Sequence, residues 1–115
     1  MHELSYLIRL AVIASESAEA NHAKSVDTVT VAVGEMTGLV PEYLRRYWPQ
    51  AVKGTILEGS ALAIEEIPAE IHCSSCGETY QPKRENQYRC PSCGSSSGTI
   101  LHGREFMVQS ITIEN

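Results

Sequence analysis

Cys73-Ser74-Ser75-Cys76-Gly77 and Cys90-Pro91-Ser92-Cys93-Gly94 are two copies of one pattern, C-x-x-C-G, with thirteen residues between Cys76 and Cys90. Two residues between cysteines let both sulfurs turn onto one ion, and the glycine that follows permits the tight backbone that aims N–H groups at them. Two such knuckles complete a tetrahedron, so Cys73, Cys76, Cys90 and Cys93 are predicted to hold Zn(II) in a closed structural site. A closed site has no open position for water, which argues against hydrolytic zinc chemistry. The rival dithiol–disulfide reading expects one motif beside a βαβ pattern. On ligand chemistry an iron–sulfur or rubredoxin-like iron site is the other alternative.

The residues around the quartet show why it needs a metal. Residues 69–101 are poor in aliphatics, rich in Cys, Ser, Gly and Pro, and balanced at three basic and three acidic side chains. A stretch like this has no apolar core, and zinc binding can supply on the order of 10 kcal/mol of folding free energy in its place. After it come Phe106, Met107, Val108, Ile111 and Ile113, a strand-like run too short to fold alone. That run is expected to return to the sheet of the preceding segment. The predicted organisation is therefore an α+β domain of residues 1–68 plus 102–115, with 69–101 as a zinc-binding insert.

Within the first segment, Leu4, Leu7, Ile8, Ala11, Ala14 and Ala18 follow the spacing of one helical face, predicting a helix over about 4–20 that stops at Asn21. Glu16 and Glu19 fall on its wet side. Val29, Val31 and Val33 alternate with Thr28, Thr30 and Ala32, the period of a strand with one buried face. Pro41-Glu42 opens a second helix through Leu44, Trp48, Ala51 and Val52, and Pro49 predicts a kink or an early end near Trp48. Leu62, Ile64 and Ile67 mark another strand, closed by Pro68. The fold class is α+β: two helices packed on a roughly three-stranded sheet, with an inserted zinc-ribbon-like lobe.

Composition narrows function. The 115 residues are 43% hydrophobic and carry a net charge of -5, which disfavours a duplex-wrapping or polybasic membrane protein. No secretory signal opens the chain and no run approaches the roughly 18 apolar residues of a membrane span, so a cytoplasmic protein with no membrane span and no nucleic-acid partner is expected. A zinc-ribbon adaptor for nucleic acid or transcription machinery is the alternative function, but it calls for a basic ribbon with exposed aromatics, and this neutral insert offers only Tyr80 and Tyr88. No nucleophile, base and orienter can be assembled, so no catalytic residue is assigned and the chain reads as a non-enzyme.

At the other end, Met1-His2-Glu3 can bind a second metal. The bulky His2 keeps the initiator methionine in place, so the free amine is that of Met1. This amine, the His2 backbone nitrogen and the His2 imidazole can converge on one ion, with Glu3 adding a backbone nitrogen or a carboxylate. Nitrogen-rich, near-planar surroundings suit nickel(II) or copper(II). The plain alternative is a solvated terminal histidine.

Met1-His2-Glu3-Leu4 at a helix start, the strand ending Val33-Gly34-Glu35, the turn Gly38-Leu39-Val40-Pro41-Glu42, the late double C-x-x-C insert and Gly103-Arg104-Glu105 before the last strand together resemble the hydrogenase nickel-insertion accessory proteins, the HypA/HybF family. The resemblance spans nearly the whole chain. It implies a nickel metallochaperone that carries Ni(II) to an apo-hydrogenase large subunit together with a nickel-handling maturation GTPase. It also implies that His2 is the indispensable nickel ligand, that Met1 and Glu3 help hold or release the ion, and that the four cysteines bind structural zinc. Some members of the family serve urease maturation, which leaves the client open, and a homodimer is compatible with the sequence. Pro49 and the Tyr43–Trp48 segment depart from the aromatic-rich second helix the family leads one to expect, which bears on the partner-facing surface.

The remaining candidates have plainer readings. His72 and His102 flank the insert and read either as alternate metal ligands or as surface and hinge-side histidines. His22 sits beside the helix stop, where a cation favours the dipole. Trp48 reads as core; Arg45 and Arg46 read as a solvated face. Glu65 and Glu66, adjacent in a strand, point to opposite faces and form no acid–base pair.

Overall fold

A computed structural model describes residues 3–115. The order along the chain is α1 (Glu3–Ala20), β1 (Ser25–Gly34), α2 (Pro41–Val52), β2 (Ala61–Ile67), β3 (Glu70–Cys73), β4 (Thr79–Tyr80), β5 (Gly98–His102) and β6 (Phe106–Glu114). Two three-stranded sheets result, ordered β2-β1-β6 and β4-β3-β5. This is the expected α+β architecture. The last strand does return to the first sheet, where it lies antiparallel to β1, while β1 and β2 run parallel across the α2 crossover.

The valines of β1 explain the layering. Val29, Val31 and Val33 are buried under the helices and face Leu62 and Ile64 on one side and Ile111, Val108 and Phe106 on the other. Apart from the exposed Met107, the apolar residues of β6 fall at 106, 108, 111 and 113, one step out of strict alternation. The pairing slips between Thr30 and Val31, leaving Gln109 without a register partner, and this bulge returns Ile111 and Ile113 to the helix side.

Helix α1 buries Leu7, Leu10, Ala11, Ala14 and Ala18. Ile8, expected on that stripe, is 47% exposed, and Leu10 takes its place because the inward face is centred one residue further round. The helix ends in a Schellman turn: Ala23 N–H donates to Ala18 O at 3.0 Å and His22 N–H to Glu19 O at 3.0 Å, with His22 at φ 57°. His22, rather than Asn21, is thus the left-handed stop residue.

Helix α2 does not take the early end expected near Trp48. It continues to Val52, because Leu44, Trp48 and Val52 are buried on one side while Pro49 and Arg45 lie exposed on the other. The carbonyl that proline deprives of a donor therefore faces water, and the apolar anchors on either side hold the helix together. Trp48 is core, as expected, and its indole N–H reaches Ser60 O and Oγ at 3.2 Å each.

Candidate metal centres

In the second sheet the two knuckles repeat one hydrogen-bond pattern. Cys73 N–H donates to Glu78 O at 2.7 Å and Gly77 N–H to Cys73 O at 2.9 Å; Cys90 N–H donates to Ser95 O at 3.0 Å and Gly94 N–H to Cys90 O at 2.8 Å. Gly77 and Gly94 have φ of 80° and 76°, which a side chain would resist. Ser75 Oγ and Ser95 Oγ, 3.0 Å apart, tie one knuckle to the other.

These turns bring the four sulfurs within 4.8 Å of one another, with Cys73 to Cys93 and Cys76 to Cys90 at 3.6 Å each. A tetrahedral zinc with bonds of about 2.3 Å requires sulfurs about 3.8 Å apart, so the cluster fits the ion. Cys73 and Cys90 are buried, and only Tyr80 and the half-buried Ile71 pack on them, too small a core to hold a lobe.

Sulfur chemistry points the same way. The Cys73 thiol is lowered to about 6, chiefly by the Cys76 N–H aimed at it, then by that of Ser75, against the opposing effect of desolvation. The Cys76 thiol receives the Glu78 N–H, yet desolvation and the crowding sulfurs of Cys90, Cys93 and Cys73 push it up to about 12. Four thiolates this close cannot all ionise without a cation among them. Zinc bound among Cys73, Cys76, Cys90 and Cys93 would supply that charge and hold the turns.

Of the terminal candidates, Met1 and His2 lie outside the described residues. Glu3 opens α1 and is only 6% exposed, and its Oε1 is buried with no hydrogen-bond partner among the described residues. The topology also shows where this helix begins: Tyr6 meets Phe106 edge-on, ring centroids 5.8 Å apart, and Phe106 pairs with Val33. The first turn of α1 therefore sits at the end of the first sheet from which the chain crosses to the second.

His72 is exposed on β3, opposite Thr79 and Thr99. His102 lies at the crossing, its Nδ1 2.9 Å from Glu105 Oε2, and is not among the four clustered ligands. Sequence reasoning passed over Glu35 and Glu105, which bind the crossing: Glu35 Oε1 accepts the Ala69 N–H at 2.7 Å, and Glu105 Oε1 accepts the Gly103 N–H at 2.6 Å. The available signal was a glycine shortly before each glutamate, in Gly34-Glu35 and Gly103-Arg104-Glu105.

The Glu105 carboxyl is held below its ordinary 4.5 by the His102 ring, then by the N–H groups of Gly103 and of Glu105 itself. A depressed folded value means that its stabilisation is present above the unfolded value and lost as pH falls through the folded one. Glu105→Gln is expected to lower the urea midpoint near neutrality, by a deficit that shrinks steadily as pH falls below 4.5. A deficit of unchanged size throughout the acid range would mean that the charge contributes nothing.

A family described as hydrogenase/urease nickel incorporation, metallochaperone, hypA, matches residues 1–113. The hydrogenase maturation factor HypA of Chlorobium phaeobacteroides is 38% identical over 114 residues, covering 99% of this chain and 100% of its own. That of Caldanaerobacter subterraneus is 35% identical over 116 residues, covering 99% and 100%. In fold, the chain is similar to the solution structure of the Ni metallochaperone HypA from Helicobacter pylori, with a TM-score of 0.73 over 99% of this chain and 98% of that one at 23% identity.

Proposed function

The chain belongs to the HypA family of nickel metallochaperones that serve hydrogenase maturation, and from that premise we propose that its own Met1, His2 and Glu3 bind the nickel it carries. The ion is cargo. The Met1 amine, the His2 amide and imidazole nitrogens, and Glu3 form the donor set, while Cys73, Cys76, Cys90 and Cys93 bind zinc that maintains shape.

Glu3 carries the terminal assignment. A buried carboxylate oxygen without a partner costs about 1–3 kcal/mol, so a side chain kept in that state at a helix start is favoured where it has an ionic or hydrogen-bonding task. Terminal ligands also suit delivery, because a chaperone must release its ion to another protein. The cargo goes toward an apo-hydrogenase large subunit, with a nickel-handling maturation GTPase as working partner, urease maturation proteins as further partners and a second copy of the chain in a homodimer. The work is metal transfer in the cytoplasm, with no catalytic group. No described helix is long and apolar enough to cross a membrane. The nucleic-acid adaptor reading is not favoured by a neutral insert in a chain matched along its whole length by nickel chaperones.

Protons compete for both nitrogen ligands, since an unperturbed α-amine titrates at about 7.7–8.0 and an unperturbed histidine at about 6.5. Nickel affinity is expected to fall steadily from about pH 7.5 to about 6, read by calorimetry on untagged protein. Adding residues before Met1 removes the amine from the site and is expected to weaken binding at every pH. Flat binding across the range, or equal binding by the extended protein, would remove Met1 and His2 from the donor set.

A further inference from the structure

Two chain crossings join the sheets: Pro68-Ala69 between β2 and β3, and Gly103-Arg104-Glu105 between β5 and β6. Links this short leave each lobe free to twist unless something outside the ladders holds them. The body measures 54 × 28 × 16 Å, so a loosely jointed lobe would move through a long arc. We propose that Glu35 and Glu105 form a latch that fixes the four-cysteine lobe in one orientation against the sheet end where α1 begins.

The latch is built from backbone. Met36 N–H donates to Gly103 O and Gly34 N–H to Glu105 O, each at 2.7 Å. No side chain intervenes: a Cβ on Gly34 would lie 2.2 Å from the carbonyl carbon and oxygen of Gly103, and one on Gly103 would lie 2.9 Å from the Cα of Ala69. The two carboxylates hold these segments in place. Glu35 reaches from the first lobe to the Ala69 N–H, and Glu105 braces the Gly103 turn by taking its N–H on one oxygen and His102 on the other. His102 pairs in register with Glu70, and β3 runs from Glu70 to Cys73, so the braced turn is one short strand from the sulfur cluster. Both metal-handling parts are thereby presented as a single body. Its bearing on nickel rests on the proposed terminal site; the latch itself does not.

The test uses full-length, zinc-loaded protein and amide ¹⁵N relaxation with hydrogen exchange. In the parent, both sheets are expected to tumble together and the Gly34, Met36, Ala69 and Gly103 amides to exchange slowly. Glu35→Ala and Glu105→Ala are expected to give the lobes separate tumbling times and to speed exchange at those amides by at least about tenfold, with zinc retained. Glu35→Gln, which keeps a carbonyl acceptor for Ala69, is expected to restore the parent behaviour. If Glu105→Ala loses zinc, Glu35→Ala decides, because Glu35 holds only one N–H across the crossing. Common tumbling and unchanged exchange in Glu35→Ala would overturn the latch. Nickel titration of the same parent sample tests the terminal site separately, since its failure would leave the relaxation result standing.

Discussion

Cys73→Ser is expected to unfold the second sheet while the first remains folded. Cys73 is fully buried, it is one corner of the sulfur cluster, and its sulfur collects the N–H groups of Cys76 and Ser75. A serine there leaves a poor ligand and three crowded sulfurs. The lobe then loses most of the order of 10 kcal/mol that zinc contributes, against a residual core of Tyr80 and Ile71. Protein-bound zinc should drop from one per chain to near zero, and the amides of β3, β4 and β5 should lose protection while Val29 and Val31 keep theirs. Chelation of the parent protein should produce the same pattern. A second sheet that stays protected after complete zinc removal would show that the fold of the lobe does not depend on the metal.

His2→Ala is expected to weaken nickel binding by at least about a hundredfold without changing zinc content or thermal stability. The substitution deletes the imidazole, the only side-chain nitrogen in the proposed set, and leaves an amine, an amide and a carboxylate. Leu7 is the first buried apolar residue of α1, five positions after the substitution. Calorimetry on proteins with native termini reads the effect. Nickel affinity equal to that of the parent would place the ion elsewhere on the molecule. A parallel loss of zinc or of melting temperature would make His2 a residue of structure and not of cargo.

Both results would rest on features readable in different degrees from the chain. The cysteine quartet was legible because its chemistry is local: sulfur spacing and a following glycine suffice to form a knuckle, whatever lies around it. The valines of β1 and the alanine stripe of α1 were legible because a buried face imposes its period on the residues. An early end at Pro49 was the wrong expectation because propensity considers the helix alone, whereas Leu44, Trp48 and Val52 are held by packing on the other side. Ile8 was misread for a related reason: the direction of the inward face is set by what α1 packs against.

By itself the sequence determined which four cysteines gather and to which family the chain belongs, since each depends on residue type and spacing. Only the tertiary structure decided that β1 and β2 run parallel, that Glu3 begins its helix buried, and that Glu35 and Glu105 fasten the crossing between the sheets. Those facts join residues as much as 34 positions apart, as Glu35 and Ala69 are. A hydrogen bond between such partners leaves no periodicity in the sequence, because it depends on where two backbones meet and not on what either repeats.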